Sequence, residues 1–183
     1  WKDVGTLGSY WEANMELIDI IPEFNLYEEF WKIYTKSDAV PPLYVSGEGF
    51  IERSIVCGNS TIEGTVINSV IGAGVTIGKG AVVRDSIIMK NTTIGTGCQV
   101  DKAIIAEEVT IGEGCVLGVG ENIPNKVNPK VYSFGLVTIG ENTVIPPGVQ
   151  IGLNTAVSGE TQSSDYPNGV LAGGETLIKA GDR

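Results

Sequence analysis

Three cysteines, a thin scatter of lysines and arginines, and no histidine at all set the chemistry open to this chain. Cys57, Cys98 and Cys115 without a histidine do not make a zinc set, which needs four convergent N or S ligands. The missing imidazole also removes the commonest general base. Cys98 and Cys115 share one position of a repeat, so stacking brings their backbones within disulfide range by distance. Reduced, buried thiols in a cytosolic protein are the favoured alternative. Thr61, Thr76, Thr93, Thr110 and Thr138 each precede an aliphatic residue and are expected to form an outward row. A regular ligand- or ice-binding face would use such a row. With one threonine per coil, β-propensity on a solvated strand is the simpler account.

These residues are carried by a repeat. Ile-Val-x-x-x-x-Thr-Ile at 55–62 returns as Val-Ile at 70–77, Ile-Ile at 87–94 and Ile-Ile at 104–111, a period of 15 to 17 residues. A fixed period of this length marks a solenoid. Inside it runs a step of six: Val56 and Ile62; Ile71, Ile77 and Val83; Ile88, Ile94 and Val100; Ile105, Ile111 and Leu117; Ile139, Ile145 and Ile151. Small or β-branched residues follow four positions on, at Ser60, Val75, Ala81, Cys98, Cys115, Thr143 and Val149. Gly72, Gly78, Gly95, Gly112, Gly140 and Gly152 follow the aliphatic residue, and Gly or Asn nearby is expected to give each corner its positive φ. This is the hexapeptide pattern of a parallel β-helix, all-β, with about five coils readable. One coil cannot bury its own aliphatic side chain, so the unit must be copied.

The flanks differ. Ser9 with Glu12 reads as a capping box, and Trp11, Met15 and Ile18 as one face of a short helix that Pro22 limits. Phe30, Trp31, Ile33 and Tyr34 suggest an extended aromatic stretch, and Pro41-Pro42 stiffens the approach to the first coil. Ile111 and Ile139 are separated by 28 residues, which leaves about 11 inserted within 118–136 once a coil of 17 is subtracted. That insertion holds Pro124, Lys126, Pro129, Lys130, Tyr132 and Phe134, and is either a ligand loop or a surface excursion or subunit contact. Val170, Leu171, Leu177 and Ile178 are expected to cover the open end of the column. The expected division is 1–20, a remnant of a preceding domain; 21–53, a connector; 54–152, the β-helix; and 153–183, a capping segment.

At 183 residues and a net charge of −10, one domain or one domain plus a fragment is expected, with no nucleic-acid partner and no anionic membrane surface. No run of 18 apolar residues occurs, so no transmembrane helix is expected, and no secretory signal opens the chain. The chain opens at Trp1-Lys2-Asp3 rather than at Met, and reads as a fragment of a cytoplasmic protein.

Trp1-Lys2-Asp3-Val4-Gly5-Thr6 followed by Tyr10-Trp11-Glu12-Ala13-Asn14-Met15 resembles the end of the catalytic domain of glucose-1-phosphate adenylyltransferases (ADP-glucose pyrophosphorylases). Leu26-Tyr27, Trp31-Lys32-Ile33-Tyr34-Thr35 and Pro41-Pro42 resemble their connector, and Ile145-Pro146-Pro147-Gly148-Val149-Gln150-Ile151-Gly152 their solenoid. The resemblance implies a left-handed β-helix behind the tail of a nucleotidyltransferase domain. The implied parent reaction turns ATP and glucose 1-phosphate into ADP-glucose and pyrophosphate, in glycogen biosynthesis. It implies that Asp3 is a magnesium ligand, a hard oxygen for a hard cation, which would stabilise charge as the sugar phosphate attacks the α-phosphorus. No catalytic residue falls in this chain, and the fragment alone is expected to be inactive. The implied partners are its own N-terminal catalytic domain and further copies in a homotetramer.

The resemblance also implies sites for anionic regulators, which need Arg or Lys. Members activated by sugar bisphosphate carry an Arg-rich segment that 153–168 lacks. Lys126, Lys130, Arg84 and Lys102, with Lys90, are the cations left. The alternatives are a stand-alone acyltransferase, disfavoured without a histidine, a non-catalytic structural solenoid, and a catalytically silent companion subunit. If the aliphatic step lines the core, Ile94→Ala leaves a cavity and destabilises by about 2–5 kcal/mol; chemical denaturation measures it, and an unchanged stability sinks the register.

Overall fold

Thr61 lies beside Thr76, Thr76 beside Thr93, and Thr93 beside Thr110, each on the next coil in register. Repeating that lateral pairing builds the molecule, seen here as a computed structural model that describes residues 2–26, 28–32, 34 and 39–179. Short parallel strands pair with the strand one coil on, giving three sheets of six, seven and seven strands. The chain visits the three faces in turn, as at Thr76–Ile77, Val82–Arg84 and Ile87–Ile88.

The aliphatic columns are those read from the sequence. The third face stacks Val56, Ile71, Ile88, Ile105, Ile139, Val157 and Leu177. The first stacks Val45, Ile62, Ile77, Ile94, Ile111 and Ile145. The second stacks Ile51, Val66, Val83, Val100, Leu117, Ile151 and Leu171. From Ile62 to Ile151 no column residue is more than 2% exposed. Val66, absent from the six-step reading, fills the second-face position of a coil whose corner is shortened between Ile62 and Thr65. The tight corner needs Gly64, where a Cβ would stand 2.4 Å from the Ala81 carbonyl oxygen.

The solenoid is longer than the five coils read from the sequence. Tyr44–Val45 and Phe50–Glu52 lie within the expected connector 21–53, yet they pair onto the next coil. Within 153–183, Thr155–Ser158, Val170–Leu171 and Thr176–Ile178 continue the ladders. The repeat fades there because end coils need no second neighbour. Leu171 and Leu177 reach the core, whereas Val170 and Ile178 stay exposed.

The glycines divide into two kinds. Gly78 and Gly95, directly after the aliphatic residue, have no positive φ; a Cβ on either would stand 2.8 Å from a backbone nitrogen of the next coil, Thr96 or Glu113. They permit close approach of coils. The left-handed corner falls two residues later, at Gly80 (φ 68°) and Gly97 (φ 70°), and at other corners on Asn59, Asn91 and Asn142.

The helix α1 spans Leu7–Glu16, and its N-cap lies three residues before the expected one at Ser9. Thr6 is the N-cap: its Oγ1 accepts from Ser9 N at 3.1 Å, while Ser9 Oγ accepts from Thr6 N at 3.2 Å. Ser9 thus takes the reciprocal role usually filled by Glu or Gln. Leu7, Tyr10, Trp11 and Met15 pack on Ile87, Ile104 and Leu136, the outward side of the third face. Ile18 lies beyond the helix end, and the helix stops well before Pro22. Phe24, Phe30, Trp31 and Tyr34 are all more than half exposed. Trp1, Tyr27, Ile33 and Thr35 lie outside the described residues. Among the described residues no helix is long and apolar enough to cross a membrane.

Gly95→Asn should destabilise by about 1–3 kcal/mol through coil–coil overlap. Gly97→Asn, at an open left-handed corner, should cost far less. Denaturation midpoints of the two variants compare them directly.

Candidate functional site

Asp3 stands in a turn that leads into α1. Its Oδ1 accepts from Gly5 N at 2.9 Å, and a Cβ on Gly5 would stand 3.0 Å from that oxygen. Gly5 therefore lets the carboxylate fold back over the chain while it remains exposed. Lys2 pairs with Glu16, at the far end of α1, rather than with Asp3. The Asp-Val-Gly-Thr run is thus tied at both ends of the helix that follows it. A shallow groove opens beside it, walled by Val4, Thr6 and Leu7 on one side and by Lys130 and Val131 of the inserted loop on the other.

That loop runs from Val119 to Val137 and is held by two buried amides. Ile139 stacks on Ile105 and not on Ile111, and Leu117 to Ile139 spans 22 residues where Val100 to Ile105 spans 5, so the insertion is 17 residues rather than 11. Asn125 Nδ2 donates to the Asn154 carbonyl at 2.9 Å and to Thr176 Oγ1 at 3.0 Å, while its Oδ1 accepts from Val127 N and Asn128 N. Asn154 Nδ2 donates to Asn122 Oδ1 at 2.6 Å and to the Ile123 carbonyl at 2.8 Å, and its Oδ1 accepts from Gly135 N at 2.7 Å. One left-handed corner residue of the solenoid, Asn154 (φ 55°), thereby fastens both ends of the excursion. Sequence reasoning passed over both asparagines. A polar residue at the corner before a strand carried the only signal.

The cations do not converge. Lys126 pairs with Glu175 near the last coil, and Lys90 with Glu107 at 2.9 Å. Arg84 lies in register beside Asp101. Burial and the Asp85 carboxylate push the Asp101 carboxyl above its ordinary range, and Arg84 opposes that shift. The Lys102 ammonium sits over two rings, 4.6 Å from the centroid of Phe134 and 5.4 Å from that of Trp11. Lys130 borders the groove beside the Asp3 turn.

Cys98 and Cys115 lie on adjacent coils and are free and buried, and Cys57 is free and exposed. Cys98 Sγ donates to the Gly112 carbonyl at 3.0 Å, and Cys115 Sγ to the Pro146 carbonyl at 3.2 Å. The neighbouring Cys115 thiol and burial together push the Cys98 thiol up. The threonine row is shorter than expected. Thr138 sits on the third face between Ile104 and Ala156, and its buried Oγ1 has no partner. Its place before Ile139 resembles the others only in sequence: Ile139 follows Ile105 in the column of the third face, so Thr138 is the counterpart of Ile104, and Val144 takes the place beside Thr110. Among the described residues no group of three His, Cys, Asp or Glu side chains could hold a metal.

Asn154→Gly keeps the left-handed backbone and removes the clamp; it should destabilise by about 1–3 kcal/mol, leaving buried donors and acceptors unpaired. Hydrogen exchange at Gly135 N should accelerate with it.

Residues 44–139 match the family model described as GlmU-like, C-terminal hexapeptide. The chain is 66% identical over 182 residues to the glucose-1-phosphate adenylyltransferase of Lachnospira eligens, covering 100% of this chain and 43% of that protein. It is 51% identical over 178 residues to that of Thermotoga maritima, covering 97% of this chain and 42% of the relative. To that of Acetivibrio thermocellus it is 41% identical over 182 residues, with 100% and 43% covered. The chain therefore spans less than half the length of these curated relatives. The match begins at the first strand, Tyr44–Val45, and ends on Ile139 in the column of the third face, and this chain belongs to the GlmU-like C-terminal hexapeptide family.

Proposed function

We propose that this chain is the scaffold of a glucose-1-phosphate adenylyltransferase, with assembly and regulation as its role and the chemistry in a preceding catalytic domain. The observation that carries the reading is similarity along the whole chain, at 66% identity, to a protein more than twice as long. The Asp-Val-Gly-Thr turn packed beside the solenoid supports it. The substrates of the parent enzyme are then ATP and glucose 1-phosphate, and the products ADP-glucose and pyrophosphate.

The Asp3 turn fits a magnesium ligand in part. The carboxylate is exposed and one of its oxygens is steadied by Gly5 N, which leaves the other oxygen for a cation. Magnesium commonly takes one or two carboxylates, with water and phosphate completing the shell. This chain would supply a single ligand, and the nucleotide and the preceding domain the rest. When bound, the ion would offset charge at the reacting phosphorus. Thr6 and Ser9 fix where the helix starts, and so where Asp3 points.

The exposed Phe24, Phe30 and Trp31 suit contact with the preceding domain, and the uncharged outer row from Thr61 to Thr110 suits a second copy in a homo-oligomer. For an anionic regulator, Lys130 is the best placed cation. Lys126 and Lys102 already hold partners, and Arg84 lies against Asp101. The three free thiols suit a reducing, cytoplasmic setting. A stand-alone acyltransferase has no imidazole to work with.

The purified chain should release no pyrophosphate from ATP and glucose 1-phosphate, while the longer protein that carries it should. Asp3→Asn in that longer protein should cost at least the roughly 10–100-fold that outer-shell partners of a metal are worth. Coupled pyrophosphate detection reads both. Release by the chain alone, or a longer protein that makes no ADP-glucose, defeats the reading.

A further inference from the structure

We infer that Lys102 and Phe134 are positioning residues for the Asp3 turn, acting by clamping Trp11 of α1 between the solenoid and the inserted loop. This rests on the magnesium role proposed for Asp3.

A helix of ten residues is marginal by itself, and α1 has no fully buried residue. Its seat therefore depends on a few contacts. Trp11 Nε1 donates to the Asp85 carbonyl at 2.8 Å. Asp85 (φ 49°) and Lys102 (φ 50°) occupy the same corner on successive coils, and Lys102 N donates to the Arg84 carbonyl at 3.1 Å. The corner column thus presents one carbonyl and one ammonium to the same indole. Phe134 then closes on the ammonium from the loop side. Both rings lie within the roughly 6 Å over which a cation and a π face attract, and their centroids are 6.0 Å apart. A Cβ on Gly8 would stand 3.3 Å from the Phe134 ring, so the loop also abuts the first turn of α1. The loop is anchored to the solenoid by Asn125 and Asn154 and to the helix by Phe134. It works as a strut whose free end sets where α1, and hence the Asp3 turn, comes to rest.

The indole proton of Trp11 reports the clamp directly. Lys102→Met keeps the aliphatic stem and removes the charge, so exchange of that proton, followed by NMR in this chain, should speed up about 3- to 30-fold, the equivalent of one cation–π contact. The Tyr10 amide, which donates to the Thr6 carbonyl, should follow it, while the Gly95 amide inside the solenoid should not change. Lys102→Arg should restore slow exchange, and Phe134→Leu should mimic the methionine variant. Unchanged indole exchange in Lys102→Met, or exchange as fast in Lys102→Arg, overturns the clamp.

In the longer protein, Lys102→Met should raise the magnesium concentration needed for half-maximal rate more than it lowers kcat at saturating magnesium, and Lys102→Arg should reverse this. An unaltered magnesium dependence with a loosened helix refutes the positioning role and leaves the adenylyltransferase reading intact. A longer protein without that activity removes the reading and the positioning role together, with the indole result still deciding whether the clamp exists.

Discussion

A parallel coil can stack on its neighbour only when both place an inward side chain at the same height and close their corners with the same backbone sign. Everything else in this molecule answers to that register. The backbone pairing across coils fixes the spacing at about 4.8 Å, and the aliphatic columns make that spacing favourable by removing apolar surface from water. At that separation the coil-to-coil gap leaves no room for a Cβ at Gly78, Gly95 or Gly112. The left-handed corners fall to glycine or asparagine at Gly97, Asn91 and Asn142, residues that tolerate positive φ.

Because the columns are so regular, departures from them are where the molecule acquires individuality. The shortened corner at Gly64 is absorbed within the coil and changes nothing outside. The long departure after Val119 cannot be absorbed. It leaves the wall, is tied back by the two buried asparagines, and delivers Phe134 to the outward side of the third face. There α1 lies on Ile87, Ile104 and Leu136, a second apolar cluster outside the solenoid. The insertion and the N-terminal helix, far apart in the chain, thus meet on one face. The Asp3 turn sits at their junction because Thr6 starts the helix there.

The electrostatics follow the same geometry. The chain carries a net charge of −10, and several of its corners hold acidic groups, among them Glu107, Glu108, Glu113 and Glu141. Several lysines are consequently spent on neighbouring carboxylates, as with Lys90 and Glu107 or Lys126 and Glu175. These exposed pairs contribute little to stability. They do neutralise cations that otherwise would be open to an anion. Lys102 escapes this pairing because its corner points at rings.

Ile71, Ile88 and Ile105 could be placed on one buried face from spacing alone, since a period that repeats coil after coil admits one stacking register. The chemical poverty of the chain, with no histidine and 12 lysines and arginines against 22 acidic residues, was equally legible, because it depends on residue identity. Thr138, Ser9 and the end coils were read differently from where they lie. Thr138 lies on the third face because Ile139 follows Ile105 in its column, and a Thr-Ile pair by itself does not say which face it occupies. The cap fell to Thr6 because Ser9 could serve as the reciprocal partner. The end coils carry weak repeats because they have one neighbour to match. The meeting of Trp11, Lys102 and Phe134 had no trace in the sequence at all. Periodicity records what each coil owes the next, whereas contacts between a helix, a corner and a loop are set by side-chain packing and by which carbonyl turns outward, and these exist only once the coils have stacked.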